Sequence, residues 1–184
     1  MDVKQAISER RAYRSFEPVE ITEELINKFA ESAGLAPSCF NNQPWRFVFV
    51  YEPELLKSMH SAFSKGNEWA QYASMIIVVF SKKESDCDIK GREYFLFDTG
   101  MAVGFMMLTA TELGLVAHPI AGYNEDKVKE IVGIPADMKV ITLILVGKHS
   151  ETINPILSEK QVKDEKNRPD RMPLDKFVYK NKVV

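Results

Sequence analysis

Residues 92–113 constrain this chain more than any other segment, because they read as one long helix that is apolar on nearly every side. A surface helix carries a single apolar stripe, whereas one that is apolar all round has to be covered all round. Phe95 to Leu108 is almost continuous in apolar residues, broken by Asp98, Thr99 and two glycines. That run is shorter than the roughly 20 residues a membrane span needs. The segment is therefore expected at the centre of a packed structure, with the rest of the chain arranged to cover it.

The remaining segments supply that cover. Val3, Ala6, Ile7 and Arg10 fall at helical spacing and predict a helix over 2–10. Thr22, followed by Glu23 and Glu24, starts a second helix, whose buried stripe is Leu25, Ile26, Phe29, Ala30 and Ala33. Gly34 and Pro37 end it. Trp45–Tyr51 has strand composition, and Pro53 opens a helix carrying Leu55, Leu56 and Met59. Met75–Phe80 is wholly apolar, as in a strand buried on both faces. Leu115–Ile120 reads as extended, Glu125–Val132 as helix, and Lys139–Val146 as the strongest strand in the chain. Strands and helices without strict alternation predict an α+β layer fold: a central mixed, mainly antiparallel sheet flanked by helices. A dinucleotide-binding glycine motif and a P-loop are both missing from the sequence. One domain is expected over 1–184. Residues 150–184 are polar and interrupted by Pro155, Pro169 and Pro173, so they are expected to build no core of their own and to wrap a neighbour as an arm.

The net charge of -2, with no massed basic segment, makes nucleic acid and anionic membrane poor partners. The polar start MDVKQAISERR has no apolar signal core, so a cytoplasmic location is expected. Cys39 and Cys87 share no motif and are expected to remain reduced thiols. His60, His118 and His149 are scattered, and no metal site is expected.

Four segments hold residues suited to chemistry, each with an ordinary alternative. Arg10 and Arg14, four apart, can close on one anion such as a phosphate, or can simply complement a helix dipole. Pro37-Ser38-Cys39-Phe40-Asn41-Asn42-Gln43-Pro44-Trp45 offers directional donors and acceptors for a heterocycle, or plain turn chemistry. Pro119-Ile120-Ala121-Gly122 lets a ligand approach the backbone closely, while His118 beside it reads better as a hydrogen-bonded packing residue than as a base. Arg168 and Arg171 can return to an anion or stay in solvent.

In order and spacing these segments resemble the nitroreductase family over nearly the whole chain. Arg10-Arg11-Ala12-Tyr13-Arg14-Ser15-Phe16 is similar to the family's Arg-Arg-Ser-x-Arg-x-Phe, with Ala12 where a serine is usual. Pro37, Ser38, Asn41, Gln43, Pro44 and Trp45 match its Pro-Ser-x-x-Asn-x-Gln-Pro-Trp signature. The resemblance implies an intertwined homodimer with FMN at the interface and a C-terminal arm around the partner. It implies that Arg10, Arg11, Arg14 and Arg171 hold the phosphate, ribityl chain and pyrimidine edge. Pro37, Ser38, Asn41 and Gln43 would arrive from the partner subunit. Asn67, Pro119, Ala121 and Gly122 would face the flavin ring. The implied activity is electron transfer from NADH or NADPH to a small-molecule acceptor such as a nitroaromatic, quinone or enone, by a ping-pong mechanism with no catalytic side chain. Phe63, Trp69, Tyr72, Tyr94 and Phe97 are the aromatics expected near the acceptor. The rival readings are a flavin-binding storage or sensor module without efficient turnover, and a cofactor-free dimeric interaction protein, to which Ala12 is the sequence's one pointer.

Overall fold

A computed structural model describes residues 1–183; Val184, the last residue of the expected arm, lies outside the described residues. The strands in chain order are β1 (Phe16–Glu17), β2 (Arg46–Val50), β3 (Met75–Ser81), β4 (Asp88–Ile89), β5 (Arg92–Glu93), β6 (Leu115–Ile120) and β7 (Lys139–His149). The helices are α1 (Val3–Glu9), α2 (Glu23–Gly34), α3 (Pro53–His60), α4 (Tyr94–Glu112), α5 (Glu125–Val132) and α6 (Glu159–Lys166). Strand β7 organises the main sheet. Lys148 is paired with Glu17 of β1 and with Leu115 of β6, which puts those two strands on opposite sides of β7. Leu145 is paired with Ile76 of β3 and His118 of β6, so β3 lies on the β1 side and carries β2 beyond it. Every pairing is antiparallel. The parallel component of the expected mixed sheet therefore has no counterpart among the described residues of this chain.

Strand alternation divides the core in two. Met75, Ile77, Val79, Ile144 and Val146 face α2 and α4, where Phe29, Ala33, Ala102 and Met106 are buried. Ile76, Val78, Leu143 and Leu145 face the other layer, with Met59 of α3 and Val128 of α5. Met75 to Val79 are all fully buried, as expected of a strand covered on both faces. Each such side chain contributes about 1.5–3 kcal/mol by leaving water.

Helix α4 lies against α2, β6 and α1. The expectation that its apolar run is too short for a bilayer needs correcting. The helix is 19 residues long and apolar enough over that length to cross a membrane. Packing is what makes it a core helix, because Phe95, Asp98, Thr99, Ala102, Val103, Met106 and Ala110 are buried within this chain. Its other face is bare: Leu96, Phe97 and Phe105 remain exposed.

The polar C-terminal segment begins with more structure than its composition suggests. Ser158 and Gln161 form a reciprocal capping box that starts α6. Asn154, Leu157 and Glu165 are buried, so residues 150–167 pack on their own chain. Beyond them Met172, Leu174, Phe177 and Tyr179 are exposed. The two cysteines also depart from expectation, being joined as a Cys39–Cys87 disulfide with Cα atoms 6.1 Å apart. The fold sets the loop before β2 against the turn leading into β4, a juxtaposition that 48 residues of separation hide in the sequence.

Candidate functional site

After α1 the chain straightens, and residues 10–15 run beside α6. The buried Glu165 carboxylate holds this stretch in place, accepting from the Arg14 N–H at 2.9 Å and the Ser15 N–H at 2.8 Å. The Ser15 hydroxyl accepts from the Asn154 N–H at 3.0 Å. Arg11 is committed to the protein, with Nη2 donating to the carbonyls of Asp164 at 2.9 Å and Glu165 at 3.0 Å. Its guanidinium also lies over the Tyr13 ring. Arg168 returns across the gap and donates to the carbonyls of Ser8 at 2.5 Å and Arg10 at 3.0 Å.

These contacts gather Arg10, Arg11, Arg14, Arg168 and Arg171 around one cavity of about 150 Å³, with Ala12 and a single carboxylate, Asp164, also in its wall. Burial lowers the Arg10 pKa, and Arg168 and Arg171 lower it further. Like charges collected in a recess oppose one another until an anion enters. Guanidinium forks match phosphate oxygens in geometry as well as charge. The residues present therefore fit a phosphate-bearing ligand.

A second group adjoins the first through aromatic contacts. The His118 ring lies 2.8 Å by Nδ1 from the Tyr13 carbonyl, which can only accept, so Nδ1 carries the proton. Trp69 packs on His118 with ring centroids 4.7 Å apart, and the Arg14 guanidinium sits 5.8 Å from the Trp69 centroid. Just beyond β6, Asn67 Nδ2 donates to the Gly122 carbonyl at 3.0 Å. A Cβ at position 122 would run into that same Asn67 amide, so a larger residue there would displace it. Pro119 is half-buried and Ala121 is exposed at the rim.

His118 is the packing residue that its neighbours suggested, and it makes stability sensitive to acid. Its pKa is pushed down to about 4, mainly by burial, with Arg14 and Arg10 assisting against the Tyr13 carbonyl and Glu165. The unfolded chain takes up this proton near 6.5. The stabilising effect is therefore complete above that pH and is lost as pH falls toward 4. Urea unfolding at pH 7 and pH 5 should differ by about 2 kcal/mol from this group, and His118→Gln should remove that part of the difference. An unchanged slope in the variant would contradict the assignment.

The loop before β2 lies elsewhere. Phe40, Asn41 and Gln43 all have positive φ, at 48°, 59° and 50°. The Cys39 N–H donates to the buried Asp98 carboxylate at 2.6 Å, and the Gln43 N–H donates to the Ser38 hydroxyl at 2.9 Å. Asn42 Nδ2 donates to Asp86 at 3.2 Å, and Phe40 is 87% exposed. None of these bonds reaches the arginine cavity. The structure thus gathers Arg10, Arg11, Arg14 and Arg171 around one cavity, sets Asn67 against Gly122 in the group linked to it through Tyr13, His118 and Trp69, and leaves Pro37, Ser38, Asn41 and Gln43 apart in this chain.

Among the aromatics, Trp69 is only 2% exposed and so is not free to meet a ligand, while Phe63 packs against the core and stays partly exposed. Tyr72 is exposed. Tyr94 and Phe97, with Arg92 and Glu93, line an open cavity of about 250 Å³. Sequence reasoning missed Glu165 and Asp164. The signal available was the Ser158-x-x-Gln161 spacing, which announces α6 and with it a helix face turned toward residues 10–15.

Known proteins resemble the chain in sequence and in fold. The sequence profile of the nitroreductase family matches residues 7–75 and 65–148. Protein DrgA of Synechocystis is 27% identical over 212 residues, covering 100% of this chain and 98% of its own length. An oxygen-insensitive NADPH nitroreductase of Helicobacter acinonychis is 27% identical, covering 79% of this chain and 86% of its own. A solved oxidoreductase containing FMN superposes with a TM-score of 0.85 at 26% identity, covering 100% of this chain and 94% of its own. With the profile matched over most of the chain, from α1 into β7, the chain belongs to the nitroreductase family.

Proposed function

We propose that this protein is an FMN-dependent oxidoreductase that takes electrons from NADH or NADPH and passes them to a small acceptor such as a nitroaromatic, quinone or enone, in a ping-pong cycle. The observation that carries the reading is the convergence of five arginines on one recess with a single carboxylate in its wall. The FMN of the solved neighbour and the NADPH in the name of the Helicobacter relative supply the cofactor and the reductant. Bound FMN provides the electron-transfer chemistry, and the protein binds and orients it. Arg10 and Arg171 would hold the phosphate and Arg14 the ribityl and pyrimidine side, where fixed positive charge favours a reduced, anionic ring. Arg11 would act mainly by fixing the wall through Asp164 and Glu165. Asn67 and the backbone at Pro119, Ala121 and Gly122 would border the ring.

A second copy of the chain completes the site in this reading. The bare face of α4, with Phe97 and Phe105, and the apolar residues of 168–183 leave a surface that a monomer would expose to water. Covering it in a homodimer brings Pro37, Ser38, Asn41 and Gln43 of one subunit to the arginine cavity of the other. The arm beyond Lys166 would then lie along the partner, within a single domain of 1–184 in the cytoplasm.

The test is a visible spectrum of the FMN-reconstituted protein, followed by anaerobic addition of NADH or NADPH. The flavin band should bleach and return on addition of a nitroaromatic or quinone. A band that persists with both nucleotides would point to a flavin carrier. A colourless protein after reconstitution would mean that the fold is retained without the chemistry.

A further inference from the structure

We propose that Cys39 and Cys87 form a redox-modification site: a reversible disulfide latch that holds the Pro37–Pro44 loop in the shape it presents to the flavin. The proposal rests on the flavin reading above. Cytosolic disulfides are mostly transient or redox-sensing, so a pair placed on a cofactor loop has a natural use.

Three observations support a latch rather than a passive staple. The first is the strain on the loop. Phe40, Asn41 and Gln43 all occupy the left-handed region, where residues with a side chain persist only when their surroundings hold them. The holds on this loop are the disulfide, the Cys39 N–H bond to Asp98, the Ser38–Gln43 bond, the Asn42–Asp86 bond, the Arg46 bond to the Gln43 carbonyl and the Ser81 hydroxyl bond to the Pro44 carbonyl. The disulfide alone among them is covalent, and it can be opened without changing the sequence.

The second is a carboxylate beside the two sulfurs. Asp86 Oδ2 is buried with no hydrogen-bond partner among the described residues. The Cys39 and Cys87 sulfurs and an Asp86 carboxylate oxygen all lie within 4.8 Å of one another. In the disulfide neither sulfur has a proton to give. Reduction creates two S–H donors within reach of the Asp86 carboxylate, which also faces the Asp98 carboxyl, so the opened state adds donors to a cluster rich in acceptors. The site accommodates both states.

The third is where the far end is tied. The Cys87 carbonyl accepts from the Tyr94 N–H at 3.1 Å. Tyr94 begins α4 and lines the 250 Å³ cavity with Arg92, Glu93 and Phe97. One bond therefore links the Asn41–Gln43 loop to the start of the central helix and the wall of a second cavity.

The chemistry balances with a dithiol as reductant. It gives two electrons and two protons to the S–S bond, which breaks to two thiols, and the dithiol closes to its own disulfide. Released, the loop relaxes from its left-handed residues and its contribution to the partner subunit's flavin site weakens.

The test compares air-oxidised, dithiothreitol-reduced and Cys87→Ser protein, all full-length. Cys87→Ser removes the bond while leaving the loop sequence intact. Amide hydrogen exchange over residues 38–44 of the FMN-free protein reads the loop, and the rate of FMN loss on dilution reads the site. Exchange over 38–44 is expected to rise in both the reduced protein and Cys87→Ser, with FMN lost about tenfold faster, the factor that one relieved strained residue supplies. Reduction should have no further effect on the variant. Exchange that is the same in all three forms would overturn the latch, as would thiols fully open to alkylation in the air-oxidised protein. Faster exchange with unchanged FMN loss would overturn its link to the cofactor. Absence of bound FMN from every form would overturn the flavin reading instead, and the exchange data keep that failure separate.

Discussion

Arg10→Ala is expected to weaken FMN binding about a hundredfold while leaving the cofactor-free fold as stable as before, or slightly more so. The two effects have opposite signs for one reason. Arg10 is half-buried beside Arg168 and Arg171, and their repulsion is relieved when it is removed. Arg168 bonds to the Arg10 carbonyl, which alanine retains, so the wall of the cavity stands without the side chain. The phosphate loses a charge-assisted contact worth about 1.5–3 kcal/mol, and each 1.4 kcal/mol is a factor of ten. Flavin fluorescence titration gives the affinity, and thermal unfolding of the FMN-free variant gives the stability. Unchanged affinity would remove Arg10 from the phosphate site. A large fall in stability would mean that Arg10 is structural, as Arg11 is.

Glu165→Ala should have the largest effect on the fold itself. The Glu165 carboxylate is 5% exposed and satisfies the backbone N–H groups of Arg14 and Ser15, and His149 Nε2 lies 3.9 Å from it. Alanine leaves those donors buried without an acceptor and empties the space between α6 and residues 14–15. The expected cost is about 3 kcal/mol, or roughly 10 °C in Tm for a chain of this size. Glu165→Gln keeps one acceptor oxygen and should recover about half of the loss. FMN affinity should fall in both variants, because Arg14 is held by this carboxylate rather than by its own side chain. A thermal shift below about 2 °C for Glu165→Ala would show that the stretch is held by other contacts.

What the sequence disclosed follows the range of the signal. Helix α2 was legible because Thr22, its acidic first turn and the Phe29–Ala33 stripe all lie within twelve residues. Strands β3 and β7 were legible because β-branched runs are self-announcing. The two-residue strands β1, β4 and β5 were not, since their pairing depends on β7 and on each other rather than on local propensity. The Cys39–Cys87 bond was misread because compartment and motif spacing speak to typical thiols, whereas a 48-residue closure is decided by the fold. Composition also misled at residues 150–167. A charged helix with one buried glutamate and a flanking leucine looks solvated in sequence, yet it walls the arginine cavity. Of the site, Arg10 and Arg14 taken alone read more readily as complements to a helix dipole, and the resemblance is what assigned them an anion. The approach of Asn67 to Gly122 across 55 residues was available only through resemblance.

The separation of the loop before β2 from the arginine cavity of its own chain has a genetic consequence. In the proposed dimer each polypeptide cradles a phosphate for a ring that the other polypeptide covers. A lesion in the cradle and a lesion in the loop, carried on two copies of the gene, then fall together on one site of the mixed dimer and spare the other. Carried on one copy, with the other copy silent, they spare neither. Two null alleles of this protein can therefore rescue each other, and whether they do depends on which half of the site each one strikes.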